Sequence, residues 1–273
     1  MSHRLPRTLP SRHGFTLVEL LVAMVVALMV IGGALTVLNS LSRQWQANSG
    51  LIHSRGEARL ALDWLRRDLM ATVRSAPGDW LYLRPGTVAA AGAPVSNELY
   101  LLSTSPDRVA GEDGDVWALG YGLAVADPFE PGGPAPRRGL YRLRIKPTEV
   151  FADGIETADW WLNFWQPRRP RLEAGANLLG DGAIFRCEAV VEDRATKNKQ
   201  RVPFERRVRA HAGGVTIEPP LGALPASGLR LAAVEVTVVI LRFEGATLLR
   251  DRQSLTAEQW RRTGDTFSER IDF

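Results

Sequence analysis

An apolar run from Phe15 to Leu38, in which Glu19 is the only charge, constrains this chain more than any other feature. As a helix that rises 1.5 Å per residue, a run of this length spans a hydrocarbon core of about 30 Å. Arg4, Arg7 and Arg12 precede the run without an acidic residue, which predicts a cytoplasmic N-terminus and an exported C-terminal bulk. The sequence therefore predicts a single-pass membrane anchor that carries an exported domain.

The junction Gly14-Phe15 and the carboxylate of Glu19 distinguish this run from an ordinary anchor. A secretory signal has a shorter apolar region and a small-residue cleavage site after it, and no such site follows Leu38. A carboxylate in a membrane helix costs roughly 2.5–3.5 kcal/mol and usually has a partner. Cleavage after Gly14 would give Phe15 an α-amino group that can pair with Glu19 of the same or a neighbouring chain. The alternative is an uncleaved anchor in which Glu19 snorkels to the interface.

The segment Gly14-Phe15-Thr16-Leu17-Val18-Glu19 closely resembles the type IV pilin-like (class III) signal, G-F-[ST]-L-[IV]-E followed by a long apolar helix. The resemblance implies cleavage between Gly14 and Phe15 by a prepilin peptidase and N-methylation of Phe15 by the same enzyme. It also implies that Glu19 recruits or registers the subunit in a helical filament. The implied partners are the prepilin peptidase, the inner membrane, and other pilins or pseudopilins through the N-terminal helix.

Charge argues against a nucleic-acid partner, and the cysteine content rules out an intramolecular disulfide. The formal charge is +4, but residues 1–14 carry three arginines and no acid, so their removal lowers it to +1 and nucleic acid is not expected as a partner. Cys187 is the only cysteine, which excludes an intramolecular disulfide. It lies in a predicted strand, where we expect a small buried apolar residue; a reactive thiol is the alternative.

The helical pattern continues beyond the apolar run. One face is apolar at positions i, i+4, i+7, i+11 and i+15, which are Ala58, Leu62, Leu65, Leu69 and Val73. Other faces are charged, at Arg59, Asp63, Arg66 and Arg67. Gly32-Gly33, Gly50 and Gly56 are candidate bends, and Pro77-Gly78 is the predicted end. We therefore expect one long N-terminal helix with a membrane or filament-core half and an amphipathic half packed on a domain.

From Trp80 onward the apolar period changes to two, which predicts strands at Trp80–Leu83, Glu98–Ser103, Val116–Ala126, Gly139–Lys146, Asp159–Trp165, Ala183–Glu192, Gln200–His211 and Leu229–Phe243. No helix of crossover length separates them, so the fold class is α+β with a mainly antiparallel sheet. The most apolar strand, Leu229–Phe243, is expected to be central. Residues 194–199 form the polar tip of a predicted hairpin, and Asp127–Gly139 is an expected exposed loop.

The predicted organisation is a leader at 1–14, a transmembrane or filament-core helix at 15–38, its amphipathic continuation at 39–76, a β-rich globular domain at 77–250 and a C-terminal tail at 251–273 with a short helix from Ala257 to about Arg262. A long helix ending in Leu-Arg-Arg-Asp-Leu (65–69) before a large β domain resembles the bigger minor pseudopilins. These include the J-type subunit of type II secretion and the W-type minor pilin.

Catalytic and metal-binding patterns are weak. After removal of the leader, His53 and His211 are the only histidines, and G-x-S-x-G, H-E-x-x-H and C-x-x-C motifs are absent. The cluster Glu112-Asp113-Gly114-Asp115 offers oxygen ligands for Ca²⁺ but lacks the spacing of a calcium loop, so a plain acidic turn is favoured. We expect neither an enzyme nor a cofactor.

An aromatic group, Trp160, Trp161, Phe164 and Trp165, precedes a basic group, Arg168, Arg169 and Arg171. A core strand followed by a solvated turn is the favoured interpretation. A contact with a neighbouring subunit and a surface that stacks nucleic-acid bases are the alternatives.

These observations together favour a structural subunit of a periplasmic filament, serving type II secretion or a type IV pilus-like system, that starts in the inner (cytoplasmic) membrane. The alternative is a membrane-tethered periplasmic module whose β domain binds a ligand, DNA or exported cargo. An anchored enzyme would need a clustered polar pocket, which the sequence does not indicate.

Overall fold

A computed structural model describes residues 16–74, 78–86, 96–104, 114–126, 137–152, 164–165, 167–168, 177–180, 182–220, 228–242 and 257–273. The helices are α1 (Leu17–Met70), α2 (Pro147–Ala152) and α3 (Ala257–Thr263). The strands are β1 (Asp79–Pro85), β2 (Asn97–Ser103), β3 (Trp117–Ala126), β4 (Arg137–Ile145), β5 (Asn177–Gly180), β6 (Gly182–Asp193), β7 (Lys199–Val202), β8 (Arg207–His211), β9 (Gly214–Glu218), β10 (Leu229–Leu241) and β11 (Gly264–Asp272). The chain divides into two compact units between Ser49 and Gly50.

In the first unit, the helix α1 is apolar on all sides from Leu20 to Leu38. Its large apolar side chains between Leu17 and Leu41 are 43% to 80% exposed, and its most apolar window has a mean hydropathy of 2.7. The hydroxyls of Thr36 and Ser40 donate hydrogen bonds of 2.9 Å to backbone oxygens of the helix itself, so they do not need water. The helix is long and apolar enough to cross a membrane. It continues through the candidate bends without interruption.

In the second unit, the last turns of α1 bury the predicted apolar face. Ala58, Leu65 and Leu69 are fully buried, and Leu62 and Val73 pack against the core from partly exposed positions. This confirms the amphipathic half of the helix.

The helix ends at Met70, well before the predicted end at Pro77-Gly78. The hydroxyl of Thr72 donates to the carbonyl oxygens of Asp68 and Leu69, at 3.2 and 2.7 Å. The backbone N–H of Val73 then donates to the carbonyl of Leu102, 3.0 Å away. The chain leaves the helix because its backbone begins to pair with β2, and no proline is needed to stop it.

The strands form two antiparallel sheets. A seven-stranded sheet has the order β5-β4-β3-β2-β1-β8-β9, and a four-stranded sheet has the order β11-β10-β6-β7. This confirms the α+β class and the antiparallel pairing. Within the smaller sheet β10 lies between β11 and β6, which confirms the expected central position of this apolar strand.

The predicted strand Gln200–His211 is wrong as one element, since β7 belongs to the small sheet and β8 to the large one. Pro203 lies between them and has no N–H for a strand ladder. The N–H of Arg206 donates to the carbonyl of Pro203 at 3.0 Å, which closes a turn. The hairpin from β6 to β7 is confirmed, with the carboxylate of Asp193 accepting bonds from Ala195 and Thr196 at its tip.

Three other expectations are corrected within the described residues. The expected loop Asp127–Gly139 ends earlier, because residues 137–139 begin β4, and residues 127–136 lie outside the described part. Phe164 and Trp165 are helical rather than extended, and residues 159–163 lie outside the described part. After the confirmed short helix α3, residues 264–272 form β11 and pair with β10 along its length.

The core of the second unit covers both faces of the large sheet, and every residue of β2 is buried. On one face, the side-chain amide of Asn97 pairs with the backbone of Cys187 in β6, at 2.6 and 2.8 Å. On the other face, the ring of Trp165 lies 4.4 Å from that of Tyr100. Gly120 makes this contact fit, because a Cβ there would come within 3.0 Å of the Trp165 ring.

Candidate functional site

The described part of the chain begins at Thr16, at the head of α1, so the predicted cleavage site Gly14-Phe15 lies outside it. Thr16 is the N-cap residue, and Glu19 is the third residue of the helix. Oε2 of Glu19 accepts hydrogen bonds from the backbone N–H and the hydroxyl of Thr16, both at 3.0 Å, and the N–H of Glu19 donates to that hydroxyl at 3.3 Å. This reciprocal pair is a capping box.

The capping box is a role of Glu19 that the sequence analysis missed. The signal for it was visible, because Thr16-x-x-Glu19 before an apolar run has the [ST]-x-x-[DE] spacing of a helix start. The negative charge also lies where the helix dipole favours it. Glu19 therefore has a partner within its own first turn, and its pairing with the amine of Phe15 stays a prediction.

A second polar site lies where α1 packs on the large sheet. Asp68 of α1, Tyr121 of β3 and Arg142 of β4 meet in the core, and all three are almost completely buried. Nε of Arg142 lies 2.7 Å from Oδ2 of Asp68, and Nη2 lies 3.0 Å from Oδ1. The hydroxyl of Tyr121 donates to Oδ2 of Asp68 and accepts from Nε of Arg142 at 3.0 Å. The guanidinium also lies over the ring of Trp64, 4.6 Å from its centroid.

The strand register brings this cluster together. Tyr121 and Arg142 are directly paired across β3 and β4, so both side chains project from the same face of the sheet. Asp68 lies next to Leu69 in the Leu-Arg-Arg-Asp-Leu segment, and the adjacent Ser103 donates to its backbone oxygen at 3.1 Å. The sequence analysis did not single out Asp68. A carboxylate beside two buried leucines and an arginine inside a predicted strand was the available signal.

In this cluster Asp68 and Arg142 form an ion pair, and the phenol of Tyr121 beside them is neutral. Burial, and next the charge of Asp68, raise the pKa of Tyr121 well above its usual value, so its hydroxyl stays protonated. Burial is the largest single influence on the pKa of Arg142 and acts to lower it, but the hydrogen bonds and electrostatic interactions with Asp68 and Tyr121 together outweigh burial and raise the pKa. The bidentate geometry satisfies the carboxylate that α1 would otherwise bury without a partner. The cluster thus attaches the helix to the sheet at one position.

A smaller polar contact attaches α1 to the C-terminal strand. Oδ2 of Asp265 accepts from the hydroxyl of Ser54 at 2.8 Å and from Nε of Arg242 at 3.0 Å, and Oδ1 accepts from Nη2 of Arg242 at 2.7 Å. Hydrogen bonds from Arg242 are the main reason that the pKa of Asp265 is lowered. Two elements distant in sequence are therefore fixed to each other here.

The residues considered for catalysis are not assembled into a reactive group. Nε2 of His53 is paired with Glu57 at 2.9 Å on an exposed turn of α1. Nδ1 of His211 accepts from the N–H of Gly213 at 3.1 Å, within the β8–β9 hairpin. Cys187 is confirmed as a buried residue of β6, and burial raises the pKa of its thiol well above the usual value, which disfavours the thiolate.

Of the acidic cluster, Gly114 and Asp115 are described and residues 112–113 lie outside the described part. Among the described side chains, no group of three or more His, Cys, Asp or Glu is arranged to hold a metal ion.

The aromatic and arginine group is only partly described. Phe164 and Trp165 are buried, as the core interpretation predicts. Arg168 stacks on Phe164, 4.1 Å from the ring centroid, and Nη1 donates to its carbonyl oxygen at 3.0 Å. Trp160, Trp161, Arg169 and Arg171 lie outside the described residues.

Comparison with known protein families agrees with the geometry at the head of α1. The family model for the prokaryotic N-terminal methylation motif matches residues 9–35. The chain therefore carries a type IV pilin-like signal, which implies processing by a prepilin peptidase and assembly with other pilins. No curated protein and no solved structure matches the chain.

Proposed function

We propose that this chain is a minor pilin-like (pseudopilin) structural subunit. A prepilin peptidase cleaves it between Gly14 and Phe15 and methylates Phe15, and the subunit enters a type II secretion pseudopilus or a type IV pilus-like filament that serves protein secretion. The chain sits first in the inner membrane, with its N-terminus cytoplasmic and its β-rich part periplasmic. Its role is structural rather than enzymatic.

The observation that carries this proposal is the methylation motif at the head of a helix with two environments. From Leu17 to Leu41 the apolar side chains of α1 are exposed, whereas Ala58, Leu65 and Leu69 are buried in the second unit. A helix that is apolar on all sides must be buried in a membrane or among other helices. The same apolar segment can be buried first in the bilayer and then among the helices in the core of a filament.

Glu19 sets the register of the subunit in this proposal. Its carboxylate pairs with the α-amine of Phe15 on a neighbouring subunit, so that neither charge is buried alone. The capping box orients the carboxylate at the helix head, since Thr16 bonds to one of its oxygens. Glu19→Ala is expected to leave membrane insertion intact and to abolish incorporation into filaments.

A sharper test separates the charge of Glu19 from its capping role. Glu19→Gln keeps a side chain that can close the capping box but removes the charge, and Thr16→Ala removes the cap but keeps the charge. We expect Glu19→Gln to insert in the membrane and to be lost from sheared, sedimented filaments, while Thr16→Ala is still incorporated. Normal incorporation of Glu19→Gln would contradict the pairing, and loss with Thr16→Ala alone would assign Glu19 to capping.

The tethered binding module is less well supported. Its main sequence feature is the aromatic and arginine group at 160–171, and the two aromatic residues described there are core residues. No described contact favours a ligand site over a structural role for them.

A further inference from the structure

The face of α1 between Ile52 and Met70, called here the basic stripe, is exposed and partly apolar. Among the described residues from Gly50 onward, four large apolar side chains are exposed, and three of them lie on this helix: Ile52 at 72%, Leu60 at 51% and Met70 at 59%. Ile52 and Met70 are separated by five full turns, so they lie on one side of the helix about 27 Å apart.

The charges on the basic stripe are mostly positive. Arg55, Arg59, Arg66 and Arg67 are exposed on this part of the helix, and Asp63 is its one exposed acid, since Glu57 is partly buried and Asp68 is buried. Arg66 contacts Glu269 at 3.5 Å but remains 65% exposed, so this surface pair is weak. Arg67 lies over the ring of Trp64, 4.9 Å from its centroid, which holds its guanidinium along the helix. Arginine and methionine at such a surface are typical of protein interfaces.

We propose that the basic stripe docks a different pilin-like subunit through a segment that combines acidic and apolar side chains. This inference rests on the proposed function and names the chemistry of one neighbour. Arginine is suited to such a contact, because its planar fork binds carboxylates in bidentate fashion.

Two other occupants fit this face less well. A second copy of this chain that met it through the same face would present the same four arginines, and like charges at a contact are repulsive. A membrane-surface helix keeps its apolar residues together on one side, whereas here the arginines alternate with Ile52, Leu60 and Met70. A protein segment in which acidic and apolar side chains alternate fits this arrangement.

The basic stripe is too small to hold a partner alone, so its role is to select which subunit binds next to this one. A face about 27 Å long and about 10 Å wide offers roughly 270 Å², below the roughly 800 Å² per partner of a stable interface. The apolar half of α1 supplies the main contact area in a filament, and the basic stripe determines which subunit occupies the adjacent position.

The test is site-specific photo-crosslinking of the full chain in cells of the source bacterium. p-Benzoylphenylalanine replaces Leu60 in the stripe and, as a matched control, Thr196 at the exposed hairpin tip. We expect the Leu60 position, and not Thr196, to give an adduct with another pilin-like chain. Mass spectrometry should map that adduct to a segment rich in Asp and Glu.

A charge-reversal variant makes the test quantitative. The triple variant Arg59→Glu, Arg66→Glu, Arg67→Glu should lower the adduct yield about tenfold, while the matched triple change to Lys retains most of it. An adduct with lipid, an adduct with a second copy of this chain, or an unchanged yield after charge reversal would overturn the inference. The inference would also be overturned if the protein entered filaments but the Leu60 position gave no adduct. If the chain crosslinked to an acidic partner but never entered a filament, the inference would stand and the proposed function would be rejected.

Discussion

The two halves of α1 place the same residue types in opposite environments. Leu28, in the first half, is 65% exposed, whereas Leu65, in the second half, is fully buried against the sheets. Burial of Leu65 comes from this chain's own core. Leu28 is exposed within a helix long and apolar enough to cross a membrane, and we propose that lipid or other subunits bury it. The helix thus divides folding from assembly along its length.

The acidic residues of the two halves differ in the same way. Glu19 forms its hydrogen bonds within its own helical turn, while Asp68 depends on Arg142, which reaches it from β4. Glu19 can therefore keep its hydrogen bonds when the surroundings of the helix change. Asp68 keeps its partner only while the sheet is folded.

The largest expected effect on folding comes from breaking the buried pair. Arg142→Met leaves Asp68 buried without its cation, and this should lower the free energy of unfolding by about 3–5 kcal/mol. Denaturant unfolding of the full chain in detergent micelles, followed by tryptophan fluorescence, measures this loss. The double variant Asp68→Leu, Arg142→Met should recover most of the lost unfolding free energy, because the uncompensated charge is gone.

Arg270→Met, on a half-exposed side chain, is the control. A cost under about 1 kcal/mol for Arg142→Met would show that the pair is not needed.

The next effect compares the two halves of α1 directly. Leu65→Ala should lower the unfolding free energy of the β-rich part by about 2–5 kcal/mol, because it opens a cavity in the core. Leu28→Ala removes the same atoms from a side chain outside that core, so its cost to the same transition should be under about 0.5 kcal/mol. Equal costs for the two variants would contradict the separation of folding from assembly.

Local patterns predicted most of these elements, and long-range contacts account for the rest. The face containing Leu65 and Leu69 followed from helical spacing, and the strand from Leu229 followed from its apolar run. Asp68 could not be assigned from its neighbours, because its burial depends on the register that pairs Tyr121 with Arg142. β11 was missed because Phe267 and Ile271 are its only large apolar residues, and its pairing with β10 supplies the missing stabilisation.

At the head of α1, in contrast, local sequence is enough to predict the site. The motif from Gly14 to Glu19 was recognised from local sequence, and the family match at residues 9–35 agrees with it. The cap formed by Thr16 is equally local, because Thr16 and Glu19 have the three-residue spacing of a capping box. Which filament system the subunit serves depends on partners, and the sequence of one chain does not encode their identity.

The smallest expected effect concerns pH and the contact between α1 and β11. The pKa of Asp265 is lowered from its usual value of 3.8, mainly by hydrogen bonds from Arg242. A lowered pKa in the folded state means that this carboxylate stabilises the fold above pH 3.8, and that the contribution is lost as the pH falls through the lower folded-state value. Asp265→Asn should remove this pH-dependent contribution to the free energy of unfolding. Because other carboxylates titrate in the same range, the measured quantity is the difference between wild type and variant in unfolding free energy against pH. A constant difference across that range would contradict the assignment.

We expect this chain to enter a pilin assembly pathway through its N-terminal signal. The most direct measurement is the mass of the N-terminal peptide after co-expression of the full chain with a prepilin peptidase. We expect a mature chain that begins at Phe15 and carries one methyl group on its α-amine. A chain that still begins at Met1 or Ser2 would contradict it, and the helix would then be an ordinary membrane anchor.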